Sequence, residues 1–339
     1  MQLSNAKLTH LNQKANINLY KPLITAKLMT DGHQIGIQPE KRSFKQTAYH
    51  IYDVHYKKLL IITILMLVLA VVQIGYQVAT TGDFVSKGIS LKGGSTITIV
   101  HQENPAEIES YLKEKFPTRE LSVLTLSGAG ENVGVIIETD AQEEQDINDI
   151  TLALEQKLNL KKQDLTIEVT GSSIGNSFFQ QVFYAVIGAF ILMSLVVFIY
   201  FRTFIPSCAV VLAAFSDIVI TLAIFNLTGM RLSTAGVAAF LMLIGYSVDT
   251  DILLTSRVLR HNEGTVLERV VGSIKTGLTM LSTTFVAVLP SLFITNNPVI
   301  QQIMLIIFIG LLVDVPNTYI QNAAILRIYM EKKHAQRST

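Results

Sequence analysis

Residues 59–78 read LLIITILMLVLAVVQIGYQV, an apolar stretch without a single charged side chain. An α-helix needs about 20 mostly apolar residues to cross the roughly 30 Å hydrocarbon core of a bilayer. The stretch therefore predicts a membrane-spanning helix. It begins near Leu59, farther along the chain than a cleavable secretory signal begins, so we expect the helix to stay in the protein.

Five more apolar stretches follow a long polar interval. They cover Phe183–Phe201, Ile205–Leu227, Ala235–Leu254, Ile274–Ile294 and Ile300–Ile325. Only helices and closed barrels satisfy backbone hydrogen bonds in lipid, and these stretches lack the alternation that is typical of barrel strands. The sequence therefore predicts a membrane protein of the all-α class with six transmembrane helices.

The composition excludes several classes of protein. Hydrophobic residues make up 50% of the chain and charged residues 16%, whereas soluble domains average about 25% charged residues. The net charge of +1 argues against a nucleic-acid partner. One cysteine, Cys208, excludes an intrachain disulfide.

Zinc-binding His patterns are missing and Gly93–Gly94 precedes no phosphate-loop lysine, so we expect no cofactor, no metal and no catalytic residue.

Lysine and arginine placement predicts the orientation of the helices. If six helices alternate in direction, most of the Lys and Arg residues near the helix ends lie on one side of the membrane. They are Lys57, Lys58, Arg202, Arg257, Arg260, Arg269, Lys332, Lys333 and Arg337. Cytoplasmic loops carry an excess of Lys and Arg, so we expect both termini in the cytoplasm and the polar interval outside. Arg231 is the main exception among the short loops of the opposite side.

The polar interval after the first helix predicts a small α+β domain. Its segments read in order as strand Ser95–Val100, helix Pro105–Phe116, strands Leu121–Leu126 and Val133–Thr139, helix Ala141–Leu158 and strand Leu165–Val169. A glycine-rich turn around Gly128 and Gly130 joins the two middle strands. The order β-α-β-β-α-β indicates an inserted ferredoxin-like domain on the extracytoplasmic side.

These features predict five parts of the chain. Residues 1–56 form a cytoplasmic tail and residues 57–80 the first transmembrane helix. Residues 81–175 form the extracytoplasmic domain, residues 176–330 a five-helix bundle, and residues 331–339 a second cytoplasmic tail.

Ionisable side chains inside the predicted helices are the candidate functional residues, since each costs at least about 2.5 kcal/mol at a helix centre. They are Asp217, Asp249, Asp251, Lys275 and Asp314. Asp249 and Lys275 fall at matched depth on helices of opposite direction, so we expect their charges to neutralise each other. Asp249 and Asp251 are two residues apart and point to nearly opposite faces, so at most one meets that partner well.

Two interpretations of these residues stay open. In the first they relay an ion and couple its movement to helix rearrangement, with Asp249 as the strongest candidate. In the second they are static ion pairs and hydrogen bonds that fix helix packing. Pro316, beside Asp314 and Asn317, indicates a locally opened backbone, which is tolerated where protein surrounds it.

Several motifs resemble those of the SecD/SecF family of the resistance-nodulation-division (RND) superfamily. The matching stretches are GISLKGGS at residues 88–95, GSSIG at 171–175, SDIVITL at 216–222, and YSVDTD at 246–251 continuing to Arg257, in the archaeal SecF form. Carried over position by position, the family motif residues are Gly88, Gly93, Gly94, Tyr246, Ser247 and Arg257. The resemblance covers Tyr56 to Met330.

The resemblance implies an auxiliary subunit of the Sec protein-export machinery in the cytoplasmic membrane. Its partners would be a SecD-like subunit, a SecY-type translocon and translocating polypeptides, with an ion gradient such as the proton-motive force as energy source. The acid of bacterial SecF matches the position of Thr250, and the acid of SecD matches that of Asp249. Which acid of this chain is essential therefore stays open. The choice between H⁺ and Na⁺ as the coupled ion also stays open. An RND-type small-molecule exporter half and a structural membrane assembly factor are the alternatives.

Overall fold

The computed structural model describes residues 44–128, 131–160, 164–260, 264–295 and 298–337. Residues Tyr52–Thr339 form one compact unit. Most of the expected tail at residues 1–56 lies outside the described residues, as does Gly130 of the expected turn.

A four-stranded antiparallel sheet follows the first helix. The elements in chain order are α1 (Phe44–Thr81), α2 (Ile89–Lys92), β1 (Gly94–Ile99), α3 (Pro105–Lys115), β2 (Leu121–Gly128), β3 (Glu131–Thr139), α4 (Glu144–Leu158) and β4 (Leu165–Thr170). The strand order is β2-β3-β1-β4. With its β-α-β-β-α-β succession, this sheet domain is ferredoxin-like, which confirms the prediction.

The two longer helices of the sheet domain cover one face of its sheet. Helix α3 begins where Pro105 fits the first turn and the Asn104 side chain accepts a hydrogen bond from the Ala106 amide at 3.1 Å. Ile108 and Leu112 of α3 lie in a buried core. The other core members come from the strands and α4: Ile97, Ile99, Leu121, Val123, Val135, Ile137, Ala141, Ile147, Ile150 and Leu154.

The rest of the chain is a helical bundle. Its elements are α5 (Ser172–Phe201), α6 (Phe204–Leu227), α7 (Thr234–Arg260), α8 (Val266–Ile294), α9 (Pro298–Pro316), a π-helical turn (Asn317–Asn322) and α10 (Ala323–Arg337). Six spans among the described residues are long and apolar enough to cross a membrane: Val54–Thr81, Ser177–Phe201, Phe204–Leu227, Thr234–Arg260, Val266–Ile294 and Val299–Lys333. The six predicted helices are therefore confirmed.

Burial divides the six spans into central and peripheral ones. In α6 and α7, 56% of the most apolar window is buried, against 11% in α1, 6% in α5 and 11% in α8. The sixth span, formed by α9, the π turn and α10, is 44% buried and packs against both central helices. Polar side chains of α6, α7 and the sixth span are consequently shielded by protein.

Backbone contacts join the sheet domain to one end of the bundle. The Gly88 amide donates to the Leu232 carbonyl at 2.8 Å, and the Leu232 amide donates to the Ser86 carbonyl at 2.7 Å. At Gly93, whose φ is +91°, an added Cβ would lie 2.5 Å from Ser172 Cα at the start of α5. Only glycine fits this close approach, which explains the double glycine of the motif.

Ionic contacts support the same junction. Lys92 Nζ lies 2.8 Å from Glu120 Oε1, and Arg231 Nη1 lies 3.6 Å from Glu120 Oε2. The hydrogen bond from Lys92 holds the pKa of Glu120 below its ordinary value, and the Arg231 charge adds to this effect. Arg231, the exception in the charge pattern, thus has a carboxylate partner on the sheet domain.

Candidate functional site

Three aspartates meet in the interior of the bundle. Asp217 lies on α6, Asp251 on α7 and Asp314 on α9, and their side chains are 0%, 0% and 1% exposed. We call these three residues the acid cluster. All lie within the spans that can cross a membrane, where an isolated carboxylate is strongly unfavourable.

Asp217 is held by α7 and the π turn. The Ser247 hydroxyl donates a hydrogen bond to Asp217 Oδ2, and Asn317 Nδ2 donates one to Asp217 Oδ1 at 2.7 Å. Both oxygens of this carboxyl group therefore have a partner. Asp217 is in this way tied to two neighbouring segments of the bundle at once.

Asp251 is held on one side only. Thr318 Oγ1 lies 3.0 Å from Asp251 Oδ1, and Asn322 Nδ2 donates to the same oxygen at 2.8 Å. Asp251 Oδ2 is buried without a hydrogen-bond partner among the described residues. A buried oxygen without a partner is costly, so Asp251 is the least satisfied member of the acid cluster.

Asp314 has hydroxyl groups on both oxygens. Thr250 Oγ1 lies 3.0 Å from Asp314 Oδ2, and Thr318 Oγ1 lies 3.0 Å from Asp314 Oδ1. Each oxygen of this carboxyl group therefore has a hydroxyl partner.

The hydroxyl of Thr250 has three possible acceptors. Its oxygen lies 3.1 Å from the Tyr246 carbonyl, 2.9 Å from the Ser247 carbonyl and 3.0 Å from Asp314 Oδ2. A hydroxyl has one hydrogen to donate, and in helices it commonly goes to a carbonyl one turn back. The two carbonyl groups and the Asp314 carboxyl group therefore compete for the single hydrogen of Thr250.

No cation balances the acid cluster within the part of the chain that the structure describes. The ion pairs found there all involve other acids, namely Asp83, Glu103, Glu107, Glu109, Glu120, Asp146 and Glu331. Groups of three or more side chains suited to hold a metal are also absent from the described residues. Hydroxyl and amide side chains surround the acid cluster.

The π turn supplies most of these donors. It starts directly after Pro316, which lacks a backbone N–H and so weakens the regular α-helical ladder. Asn317, Thr318 and Asn322 all lie on the turn with exposures of 0%, and each contacts an acid. Single π turns in helices are frequent at functional sites. The opened backbone that the sequence indicated next to Pro316 takes this form.

Comparisons with known proteins identify the family of this bundle. A family model described as "Protein export membrane protein SecD/SecF, C-terminal" matches residues 150–332. The protein-export membrane protein SecF of Pyrococcus furiosus is 41% identical over 283 residues, covering 83% of this chain and 93% of the relative. SecF of Methanolacinia petrolearia is 35% identical, over 84% of this chain and 97% of the relative. The chain belongs to the SecD/SecF family.

A solved structure agrees with this SecD/SecF assignment at the level of the fold. The crystal structure of SecDF from Thermus thermophilus, described as a translocon-associated membrane protein, matches with a TM-score of 0.63 and 19% identity. The match covers 82% of this chain and 38% of that one. Together with the six apolar spans, the family makes this chain a multi-pass membrane protein.

The other two sequence candidates of this SecD/SecF chain lie apart from the acid cluster. Asp249 and Lys275 are exposed on α7 and α8, and no ion pair joins them in the described residues. The expected neutralisation of Asp249 by Lys275 is therefore not observed. Asp249 and Asp251 are separated by about 200° around α7, so burying Asp251 turns Asp249 outward.

The motif residues of the family divide between the junction and the bundle. Gly88, Gly93 and Gly94 lie where the sheet domain meets the bundle. Ser247 contacts Asp217, whereas Tyr246 is 41% exposed beside Asp249. Arg257 Nη1 donates to Thr276 Oγ1 at 3.2 Å, which ties the end of α7 to α8.

Sequence reasoning missed the neutral members of the site. Thr318 and Asn322 were not among the predicted residues because single hydroxyl and amide side chains are common in transmembrane helices, and Thr250 was noted only as the position that matches the bacterial SecF acid. The available signal was their spacing: positions 314, 317, 318, 321 and 322 are all polar and recur at three- and four-residue intervals, which places them on one face.

Proposed function

We propose that this protein is an auxiliary subunit of the Sec protein-export machinery that couples an ion gradient to protein translocation across the cytoplasmic membrane. One observation carries this proposal. A chain of the SecD/SecF family buries three aspartates together inside its transmembrane bundle without a balancing cation in the described residues. Moving one charge through 100 mV of membrane potential releases about 2.3 kcal/mol. That energy can bias a helix rearrangement by roughly fiftyfold.

The acid cluster supports coupling because its charge state and its geometry depend on each other. Asp217, Asp251 and Asp314 sit on three different helices, and their hydrogen bonds join α6, α7 and the sixth span. Removing a proton from a buried carboxyl group changes which of these bonds can form. Gain or loss of one ion therefore favours a different packing of the three helices.

Charge placement supports the proposed orientation. Arg257, Arg260 and Arg269 lie at the end of the bundle opposite the sheet domain, and Arg231 at the sheet-domain end is paired with Glu120. Because Arg231 is paired, it does not count against the excess of Lys and Arg at the opposite end of the bundle. That excess supports cytoplasmic termini. The sheet domain then lies outside, where it can contact emerging polypeptides.

A SecD-like subunit is the proposed partner for the exposed face of α7 and α8. Asp249 and Lys275 are exposed there, together with Tyr246 and Thr279. Charged side chains that face lipid are costly and typically face protein instead. A second polytopic subunit that covers this face would remove the cost, and a SecY-type translocon would then assemble with the pair.

The experiment measures export of a secretory precursor in cells with and without this chain, before and after an uncoupler collapses the proton gradient. We expect depletion of the chain to remove only the gradient-dependent part of export. Equal export in depleted and wild-type cells under both conditions would contradict the proposal. Gradient-driven efflux of small molecules without an effect on export would instead support an RND-type exporter half.

A further inference from the structure

The Tyr52 side chain connects α1 with the middle of the π turn. Its hydroxyl donates to the Tyr319 carbonyl oxygen at 2.6 Å, and its ring packs against a buried apolar core formed by α7, α8 and α10. Tyr52 lies just before the apolar span of α1. Burial raises the pKa of Tyr52 above its ordinary value, so the hydroxyl keeps its proton and remains a donor.

The π turn changes which donor the Tyr319 carbonyl receives. In a regular α-helix the Ala323 amide donates to the carbonyl four residues back, which is that of Tyr319. Here the Ala323 amide donates to the carbonyls of Thr318 and Ile320 instead. The Tyr52 hydroxyl takes the place of this helical donor, so its bond favours the π turn over the regular α-helical register.

The register of the π turn in turn decides which side chains reach the acid cluster. Asn317 Nδ2 donates to Asp217, and Asn322 Nδ2 donates to Asp251. Residues five apart lie about 140° apart around a regular α-helix. A π turn pairs residue i with residue i+5 and brings the two onto nearly the same face. The π turn therefore lets Asn317 and Asn322 hold two acids at the same time.

We propose that Tyr52 is a positioning residue, whose hydroxyl stabilises the π turn and thereby keeps its two asparagines on the acid cluster. This inference rests on the proposed function and adds a regulating contact from α1, a helix that contributes no member of the acid cluster. When the bond is absent, the Ala323 amide returns to the Tyr319 carbonyl. Asn317 and Asn322 then lie on different faces, and one acid loses its amide donor.

Tyr56 provides a matched control on the same helix. It lies one turn beyond Tyr52, and its hydroxyl donates to Glu331 Oε2 at 2.7 Å. Glu331 belongs to α10, beyond the end of the π turn. Tyr56→Phe therefore removes the same kind of bond between α1 and the sixth span, but it leaves the contact with the π turn in place.

The first readout is the carbonyl of Tyr319 itself. A Tyr–Ile pair occurs once in the sequence, at residues 319–320, so ¹³C-carbonyl tyrosine combined with ¹⁵N isoleucine labels a single peptide bond. Solid-state NMR of the full chain in lipid vesicles then reports the hydrogen bonding of this one carbonyl. We expect its resonance to shift in Tyr52→Phe and to keep its wild-type position in Tyr56→Phe.

The second readout is gradient-driven export, taken as the difference between export before and after an uncoupler at equal protein abundance. Tyr52→Phe should lower this difference about fivefold, as expected for the loss of one hydrogen bond. It should lower the remaining export no more than Tyr56→Phe does. In an Asn322→Ala background, Tyr52→Phe should cause little further loss, because the asparagine through which it acts is already absent.

The outcomes separate the contact from the proposed function. An unchanged Tyr319 resonance in Tyr52→Phe overturns the inference. Gradient-driven export equal to that of Tyr56→Phe, or a full additional loss in the Asn322→Ala background, also overturns it, while gradient-coupled export stands. Wild-type export that ignores the gradient overturns the proposed function, and the NMR comparison then decides the contact alone.

Discussion

The Arg231 guanidinium lies 3.6 Å from the Glu120 carboxylate and so connects the loop between α6 and α7 to the sheet domain. Gln302 fixes the backbone behind this contact, because its Nε2 donates to the Arg231 carbonyl at 2.6 Å. Gln302 of α9 and the loop before α7 are therefore connected to the base of the sheet domain through this contact.

Replacing Glu120 is expected to remove a pH-dependent part of stability. The Lys92 hydrogen bond lowers the pKa of Glu120, so its contribution is present above the unfolded value of about 4.3. The contribution disappears as the pH falls through the folded pKa. Because the Glu120 side chain is 45% exposed, solvent screening limits the effect to about 1 kcal/mol or less.

Thermal unfolding of the detergent-purified protein from pH 7 to pH 3 provides the measurement. Glu120→Gln should be less stable than wild type at neutral pH and equal to it at the acid end. Glu168→Gln, an exposed change on β4 without an ion pair in the described residues, is the matched control. Burial raises the pKa of Glu138, but this residue is present in wild type and in both variants, so its titration does not affect the difference between them. A constant difference between wild type and Glu120→Gln at every pH would refute the role of this charge.

Substitution of Gly93 is expected to separate the sheet domain from α5. Alanine at this position combines an unfavourable φ of +91° with a Cβ only 2.5 Å from Ser172 Cα. Positive φ costs a non-glycine residue on the order of 1–3 kcal/mol, and the collision adds to this. Thermal unfolding should show a clear loss for Gly93→Ala and none for Gly188→Ala, where an added Cβ meets nothing within 4 Å. Equal melting of both variants would rule out the close approach.

A methyl group at Gly277 is expected to push the π turn away from α8. The new Cβ would lie 1.6 Å from the Tyr319 hydroxyl oxygen and 2.9 Å from its Cζ. Gly277→Ala should therefore impair gradient-driven export, and the added change Tyr319→Phe should partly restore it by removing the colliding oxygen. Rates are compared at equal protein abundance. A double variant no better than Gly277→Ala would show that this contact does not matter.

The exposed face of α7 is expected to contact the SecD-like subunit. A photo-reactive amino acid at Met242, which is 47% exposed on that face, should form an adduct with this partner. The control is the same probe at Ile191 on α5, where 61% of the side chain is exposed. Adducts from both positions, or from Ile191 alone, would place the partner elsewhere.

Local sequence patterns were sufficient to predict most helices and strands, but not which of them are in contact. Pro105, the alternation in β1 and the apolar spans are signals within a few residues, and each gave the correct element. Helix α2 was missed because Ile89–Lys92 is a single turn, stabilised by the junction with α5 and not by its own pattern.

The choice among the acids needed information from other helices. Depth in the membrane is nearly the same for Asp249 and Asp251, and depth was the basis for pairing Asp249 with Lys275. The face is decided by what packs against it: Asp251 shares the buried side with Ser247, Leu254 and Thr255. This four-residue spacing is present in the sequence, whereas the π turn that opposes it follows from tertiary packing.

The most direct test compares Asp251→Asn with Asp249→Asn for gradient-driven export, counted per assembled complex. If the buried acid cluster couples the ion gradient to export, Asp251→Asn should export at the rate that the wild type shows after uncoupling. Asp249→Asn should keep its response to the gradient in every complex that assembles. A full gradient response in Asp251→Asn, with loss of that response in Asp249→Asn, would contradict the account.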